Sequence, residues 1–298
     1  MRLIDSHAHL QADPFEPDRR VVIDEAFDAG IERLLVPGWD SRSSAAALAL
    51  AEADERIDAA AGVHPHDAVT CSDAEWARVV RLAGDRRVVA IGETGLDFDR
   101  MHSPREAQLA NLRRHLRLAL ETGKPAILHC RSAAGERDAQ DALLSELTAA
   151  AFGRVAAHDV FEGRPPAVLH SFSGSVDYAE EALAMGIAIS FSGLVFRRGE
   201  EASAQVARLV PAERLLIETD SPYLAPPGVP RNAGVPRNAA GTPRATDPAP
   251  RFSGRRNTPA WVRITGEWLA EQRGQTPDSI GEGLVAAYDA TFRRRSPG

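Results

Sequence analysis

At 298 residues, with 44% hydrophobic and 26% charged residues, the chain is long enough and apolar enough to bury a sizeable core, which excludes disorder of the whole chain. No apolar run approaches the ~18 residues that span a bilayer, and Asp5, Ser6 and His7 are reached without a basic segment followed by an apolar one, so a cytoplasmic protein without membrane attachment is expected. The net charge of −7 excludes a general cationic coat for nucleic acid, and Cys71 and Cys130, without CxxC spacing, exclude a disulfide framework or zinc knot.

Apolar, β-rich stretches alternate with helical ones, the pattern of βα units around a parallel sheet. Strands are predicted at Leu3–His9, Arg33–Pro37, Ile57–His64, Val88–Glu93, Ala126–His129, Ala167–His170, Ile187–Phe191 and Leu215–Asp220. Helices are predicted between them at Asp18–Ala29, Ser41–Ala53, Asp73–Ala83, Arg105–Thr122 and Val176–Ala184, with Ser41, Asp73, Gly30, Gly123 and Gly186 as start or stop signals. In the fourth helix Leu109, Leu112, Leu116 and Leu120 repeat at helical spacing and are expected to face the sheet, with His115 just off that stripe as a structural or solvated residue. Cys130 reads as a small buried apolar residue.

Eight such units close an α/β fold, a (β/α)8 TIM-type barrel, which typically needs ~250 residues, so residues 1–298 are read as one domain. Two further helices, Thr258–Gln272 and Pro277–Arg293, are expected to cover it. Pro226–Gly254 is a Pro- and Arg-rich insertion with a near-duplicated hexapeptide, Val229–Gly234 and Val235–Ala240. Pro226–Arg256 carries six arginines against one acid, Asp247, a net of +5. It is either a solubilising loop or a flap that contacts phosphate.

Six potential metal ligands stand where predicted strands end: His7, His9, Glu93, His129, His170 and Asp220. Residues so far apart converge only if parallel strands point their C-terminal ends at one place. In Asp5-Ser6-His7-Ala8-His9 a strand would project both imidazoles to one face while Ala8 packs outward. Six ligands exceed the three that a catalytic zinc usually takes, so two divalent ions sharing a ligand are expected. A carboxylate bridges through two oxygens and a neutral imidazole does not, so Glu93 or Asp220 is the bridge; the place of strand four favours Glu93. Two ions can activate a water between them and stabilise the entering and leaving oxygens of a displacement, which suits phosphoester hydrolysis. Imidazoles suit Zn, Mn or Co, while carboxylates and water accept Mg.

Pro65 breaks strand geometry between His64 and His66, so His64 is read as a substrate contact and His66 as a turn or outer residue. Arg131, two residues after His129, is placed to clamp a phosphate oxygen, or to form a structural ion pair. His102 and His158 read as surface residues. Gly92-Glu93-Thr94-Gly95 is neither a dinucleotide nor a P-loop fingerprint, and Ser173-Gly174-Ser175 is no GxSxG.

Asp5-Ser6-His7-Ala8-His9-Leu10, Gly62-Val63-His64-Pro65-His66, Gly92-Glu93-Thr94-Gly95-Leu96-Asp97, His129-Cys130-Arg131, His170-Ser171-Phe172-Ser173-Gly174 and Glu218-Thr219-Asp220-Ser221-Pro222-Tyr223-Leu224 together resemble the TatD family of metal-dependent deoxyribonucleases, within the amidohydrolase-like barrels. Arg256-Asn257-Thr258-Pro259 looks like the family's pattern before its last helices. The resemblance implies His7, His9 and Asp220 around one metal, His129 and His170 around the other, and Glu93 shared. It also implies hydrolysis of DNA phosphodiesters, often exonucleolytic. In the two-metal reading of the site Asp220 is expected to orient or deprotonate the attacking water. The chain departs from the family in the Pro226–Gly254 insertion, in a longer Ser132–Pro166 stretch, and in Ser132 where an acid often follows HxR. These put substrate choice in doubt, because loops at the strands' C-terminal face set specificity.

Two other functions compete. An amidohydrolase-like enzyme would attack C–N or C–O bonds of a small molecule, but many of those bridge their metals with a carboxylated lysine where this chain has Glu93. A non-catalytic, metal-stabilised nucleic-acid-binding protein would have a closed site and no turnover. DNA is the expected partner, and no obligate protein partner is evident.

Overall fold

Parallel strands buried on both faces are near-continuous apolar runs, and the segments Leu34–Val36, Ala59–Ala61 and Ala126–Leu128 are of that kind. In the computed structural model, which describes residues 1–153, 159–229 and 255–292, they form part of one eight-stranded parallel sheet. Its strands are β1 (Leu3–Asp5), β2 (Ile31–Pro37), β3 (Ile57–Ala61), β4 (Val88–Asp97), β5 (Ala126–Arg131), β6 (Ala167–Leu169), β7 (Ala188–Phe191) and β8 (Leu215–Ile217), paired in sequence order. Ser6 N–H donates to Ile217 O at 3.0 Å and Ala8 bridges to Ser221 in parallel, bringing the first and last strands together as a barrel requires. The predicted TIM-type fold is therefore present, and no described helix is long and apolar enough to cross a membrane.

Helices at Ser41–Ala53, Asp73–Ala83, Arg105–Thr122 and Val176–Ala184 have the predicted bounds. Asp40 and Ser72 cap the first two through reciprocal capping boxes, and Gly123, at φ 63°, ends the third in the left-handed conformation. Among the described residues, two α-helices stand outside the predicted set, Asp138–Ala149 and Ser203–Leu209. The first buries Leu143, Leu144 and Leu147, but these lie within the polar-acidic stretch that obscured their spacing. The second has seven residues, too few for a clear period. At the C-terminus a 3-10 turn, Pro259–Trp261, precedes helices Val262–Arg273 and Pro277–Phe292, which pack against β1 and β8. Most of the insertion, residues 230–254, lies outside the described residues, as does His158. Immediately after it, Arg256 makes a buried bidentate pair with Asp18 at 2.7 and 2.5 Å, and Asn257 Nδ2 donates to Thr219 O at 2.8 Å, anchoring the chain beneath β8's end.

The buried face of Arg105–Thr122 is rotated from the predicted leucine stripe. Leu112 and Leu116 are buried, but Leu109 and Leu120 are only partly so, and Gln108, Asn111 and His115 are buried with them. Each polar side chain satisfies backbone at the end of β4 or just beyond β3. Gln108 accepts from Asp97 N–H at 2.7 Å and donates to Asp97 O at 3.0 Å; Asn111 Nδ2 donates to Val63 O at 2.7 Å. His115 Nε2 accepts from Val63 N–H at 2.9 Å, and its Nδ1 lies 2.7 Å from Asn111 O. His115 is thus structural.

Burial pushes the His115 imidazole down to about 3, so the folded state holds it neutral where an unfolded chain takes up a proton below pH ~6.5. Its contribution to stability is therefore lost as pH falls from ~6.5 toward 3, at up to about 1.4 kcal/mol per pH unit. His115→Gln is expected to flatten the acid limb of unfolding free energy against pH by about 1 kcal/mol per unit, measured by denaturant melts between pH 6 and 4. An unchanged slope would show that His115 does not titrate differently in the two states.

Candidate metal centre

Beyond their last paired residues the strands deliver chains that converge over the C-terminal mouth. Most of the candidate ligands lie past the strands rather than on them: β1 stops at Asp5, β3 at Ala61, β6 at Leu169 and β8 at Ile217. The strand-pleat explanation for His7 and His9 is thereby corrected. Ala8 N–H donates to Leu35 O at 3.0 Å and His9 N–H to Ser221 O at 2.7 Å, so the segment is held between the ends of β2 and β8. The two rings cross at 83° with Nε2 atoms 3.2 Å apart, while Ala8 is fully buried.

Glu93 was expected at the end of β4, but the strand continues to Asp97. Its register with β5 shifts between Ile91 and Thr94, which places Glu93 in the irregularity. Gly95, at φ 134°, passes so close to β5 that a Cβ there would lie 1.9 Å from His129 O.

The two oxygens of Glu93 face different groups. Oε2 lies 3.3 Å from His7 Nε2 and 3.6 Å from His9 Nε2. Oε1 lies 2.9 Å from His170 Nε2 and 3.2 Å from both His129 Nδ1 and His64 Nε2. Asp220 Oδ1 completes the first group at 3.4 Å from His9 Nε2 and 3.8 Å from His7 Nε2. Asp220 has a left-handed backbone (φ 54°), which an aspartate tolerates, held by its N–H on His7 O at 2.8 Å. All six predicted ligands are brought together, and His64, read as a substrate contact, sits among them.

Burial alone raises the Glu93 carboxyl, but the imidazoles of His170, His64 and His7 overcome it and hold the group well below the carboxylate range. Burial pushes His64 down to about 4 despite Glu93. His170 goes the other way: burial disfavours its charge, yet Glu93 and Glu218 raise it well above the imidazole range. A field that favours positive charge among converging lone pairs is the field a divalent cation needs. Three overlapping sets, His7/His170/Asp220, His7/His9/Glu93 and His64/Glu93/His129, each have donor atoms within 4.8 Å of one another. The nitrogen and carboxylate donors therefore fit metal ions.

Sequence reasoning gave no role to three buried acids that support this centre. Asp97 Oδ2 lies 3.2 Å from His129 Nε2 and 2.8 Å from His66 Nε2, so His66 is an outer residue, as expected. Glu218 Oε1 lies 3.2 Å from His170 Nδ1. Asp5 accepts from His7 N–H at 3.2 Å and from Thr219 N–H and Oγ1 at 3.0 and 2.6 Å, tying the end of β1 to that of β8. All three lie within the quoted motifs, but only the folded chain shows their partners.

The donors other than His7, which is fully buried, floor a cavity of about 850 Å³ whose wall includes Trp39, Arg131, Arg197, Glu200, Tyr223 and Arg255. Arg131 is partly exposed there, 3.9 Å from Asp97. Cys130, expected to be buried and apolar, is partly exposed on this wall; burial pushes its thiol up to about 12, so it is not a thiolate at neutral pH. His102 is exposed and stacks on His66, with ring centroids 4.4 Å apart. A larger cavity, about 990 Å³, opens where β3 and β4 begin, at Ile57, Asp58 and Val88, away from these donors. In barrels of this type that end carries stability rather than chemistry.

The family described as TatD related DNase matches residues 4–293. The 3'-5' ssDNA/RNA exonuclease TatD of Cronobacter sakazakii is 36% identical over 294 residues, 98% of this chain and 97% of its own length. The metal-dependent hydrolase YabD of Bacillus subtilis is 32% identical over 294 residues, 98% of this chain and 99% of its own. Among solved structures, the TatD homolog YjjV of Escherichia coli superposes with a TM-score of 0.78 at 28% identity, covering 99% of both chains.

Proposed function

The chain belongs to the TatD-related DNase family, and from that premise we propose that it is a divalent-metal-dependent nuclease hydrolysing phosphodiester bonds of single-stranded nucleic acid. The observation that carries the reading is Glu93, whose two oxygens address two separate donor groups. One ion would be held by His7, His9, Asp220 and Glu93 Oε2, the other by His129, His170 and Glu93 Oε1. Bound there, divalent cations supply charge for the phosphoryl oxygens and make water acidic enough to ionise near neutral pH.

The protein's own groups do the rest. Asp220, 15% exposed at the cavity floor, accepts the proton of the attacking water. Arg131 on the wall orients a non-bridging phosphate oxygen, and His64, beside Glu93 Oε1, contacts the phosphate at the second position. A wall containing Arg131, Arg197 and Arg255 attracts a polyanion locally despite the overall charge of −7. DNA is the proposed substrate, with a free 3' end the expected start of digestion, as the names of the relatives suggest.

Stripping metal with a chelator is expected to lower cleavage of an end-labelled single-stranded oligonucleotide by about a hundredfold or more, with recovery on adding Mg, Mn, Co or Zn. Full turnover by protein shown metal-free by elemental analysis would sink the reading. Parallel assays with cyclic amides and lactones test the C–N and C–O alternative, which predicts turnover there and none with oligonucleotides.

A further inference from the structure

The imidazoles of the two donor groups are braced by different devices. His129 turns Nδ1 to Glu93 Oε1 and Nε2 to Asp97 Oδ2, each at 3.2 Å. His170 is reversed, with Nε2 2.9 Å from Glu93 Oε1 and Nδ1 3.2 Å from Glu218 Oε1. A neutral imidazole has one N–H and one lone pair, so to offer a lone pair inward His129 must carry its proton on Nε2 and His170 on Nδ1. A carboxylate, which only accepts, stands behind each proton. By contrast, the Nδ1 atoms of His7 and His9 are buried without a hydrogen-bond partner among the described residues. That pair is placed through its backbone, by His9 N–H on Ser221 O at 2.7 Å, Asp220 N–H on His7 O at 2.8 Å and Asp5 on His7 N–H at 3.2 Å.

Asp97 and Glu218 are themselves immobilised. Asp97 is fully buried; its Oδ1 accepts from the N–H groups of Asp99 and Arg100 at 3.1 and 2.8 Å, leaving Oδ2 for His66 and His129. Glu218 Oε1 also accepts from Ser171 N–H and Oγ at 2.6 and 2.9 Å, and Oε2 from Ser6 Oγ at 3.3 Å.

We propose that Asp97 and Glu218 are positioning residues that lock His129 and His170 into opposite tautomers, so that the His129/His170 ion position can be emptied without emptying the His7/His9 position. This rests on the two-ion reading above. Partners of this kind typically change metal affinity by about 10–100-fold. Asp97→Asn is the severe change, because both oxygens already meet N–H donors and an amide NH2 placed at either one opposes a donor. Glu218→Gln is milder, since its remaining oxygen still accepts and only the charge is lost.

The test is titration calorimetry of metal-stripped full-length protein with Zn2+ and with Mn2+, with bound metal counted by elemental analysis. Wild type is expected to take two ions. Asp97→Asn is expected to weaken one step by about 10–100-fold and leave the other within a few-fold, with Glu218→Gln weakening the same step by less. Asp220→Asn is expected to weaken the other step, and combining it with Asp97→Asn to weaken both. If Asp97→Asn fails to give a wild-type circular dichroism spectrum and melt, Glu218→Gln carries the test. The proposal is overturned if both steps weaken together, or if neither moves, while wild type binds two ions. A wild type that binds one ion removes the two-ion reading and this proposal with it.

Discussion

Glu93→Gln is expected to lower kcat/KM for a single-stranded oligonucleotide by about a thousandfold or more, roughly 4 kcal/mol of lost transition-state stabilisation. Glutamine matches glutamate in size, so the cavity and strand register are kept. It offers one oxygen instead of two, and its NH2 must face either the His7/His9 side or the His64/His129/His170 side, where nitrogen donors already converge. Bound metal should fall from two ions to one or fewer by elemental analysis, with Glu93→Ala at least as severe. A variant with two ions and wild-type rate would show that Glu93 is no bridge.

The second large effect is expected for Asp220→Asn, a fall in kcat of about a hundred- to ten-thousandfold, the range for a lost general base. Asparagine tolerates the left-handed backbone at this position, and its N–H on His7 O is kept, so the loop has no reason to move. The side-chain oxygen can still face His9, but it can no longer take a proton. At saturating metal both ions should remain while kcat stays low and KM changes little. Recovery of full kcat at high metal would mean that Asp220 serves only to hold the ion.

Much of this centre was legible because its chemistry is carried by residue types with few alternative uses at strand ends. His7, His9, Glu93, His129, His170 and Asp220 could be picked out before any distance was known, and the folded chain gathers all six. The barrel was legible for a related reason, since parallel strands covered on both faces show as apolar runs separated by helical periods. The misses share a cause. Gln108, Asn111 and His115 look like the polar flank of a leucine stripe, yet they are buried because Asp97 and Val63 present backbone groups to them. Asp97 and Glu218 look like ordinary acids until His129 and His170 are seen against them.

By itself, then, the sequence determined the eight-unit architecture and singled out the candidate metal donors, because both depend on local periodicity and on chemistry intrinsic to each residue. Only the tertiary structure decided which oxygen of Glu93 faces which imidazoles, that most donors hang from loops beyond the strands, and that His129 and His170 present opposite ring nitrogens. Those are relations between groups distant in sequence. They are set by sheet register, by Gly95 passing against β5, and by buried carboxylates that must find donors.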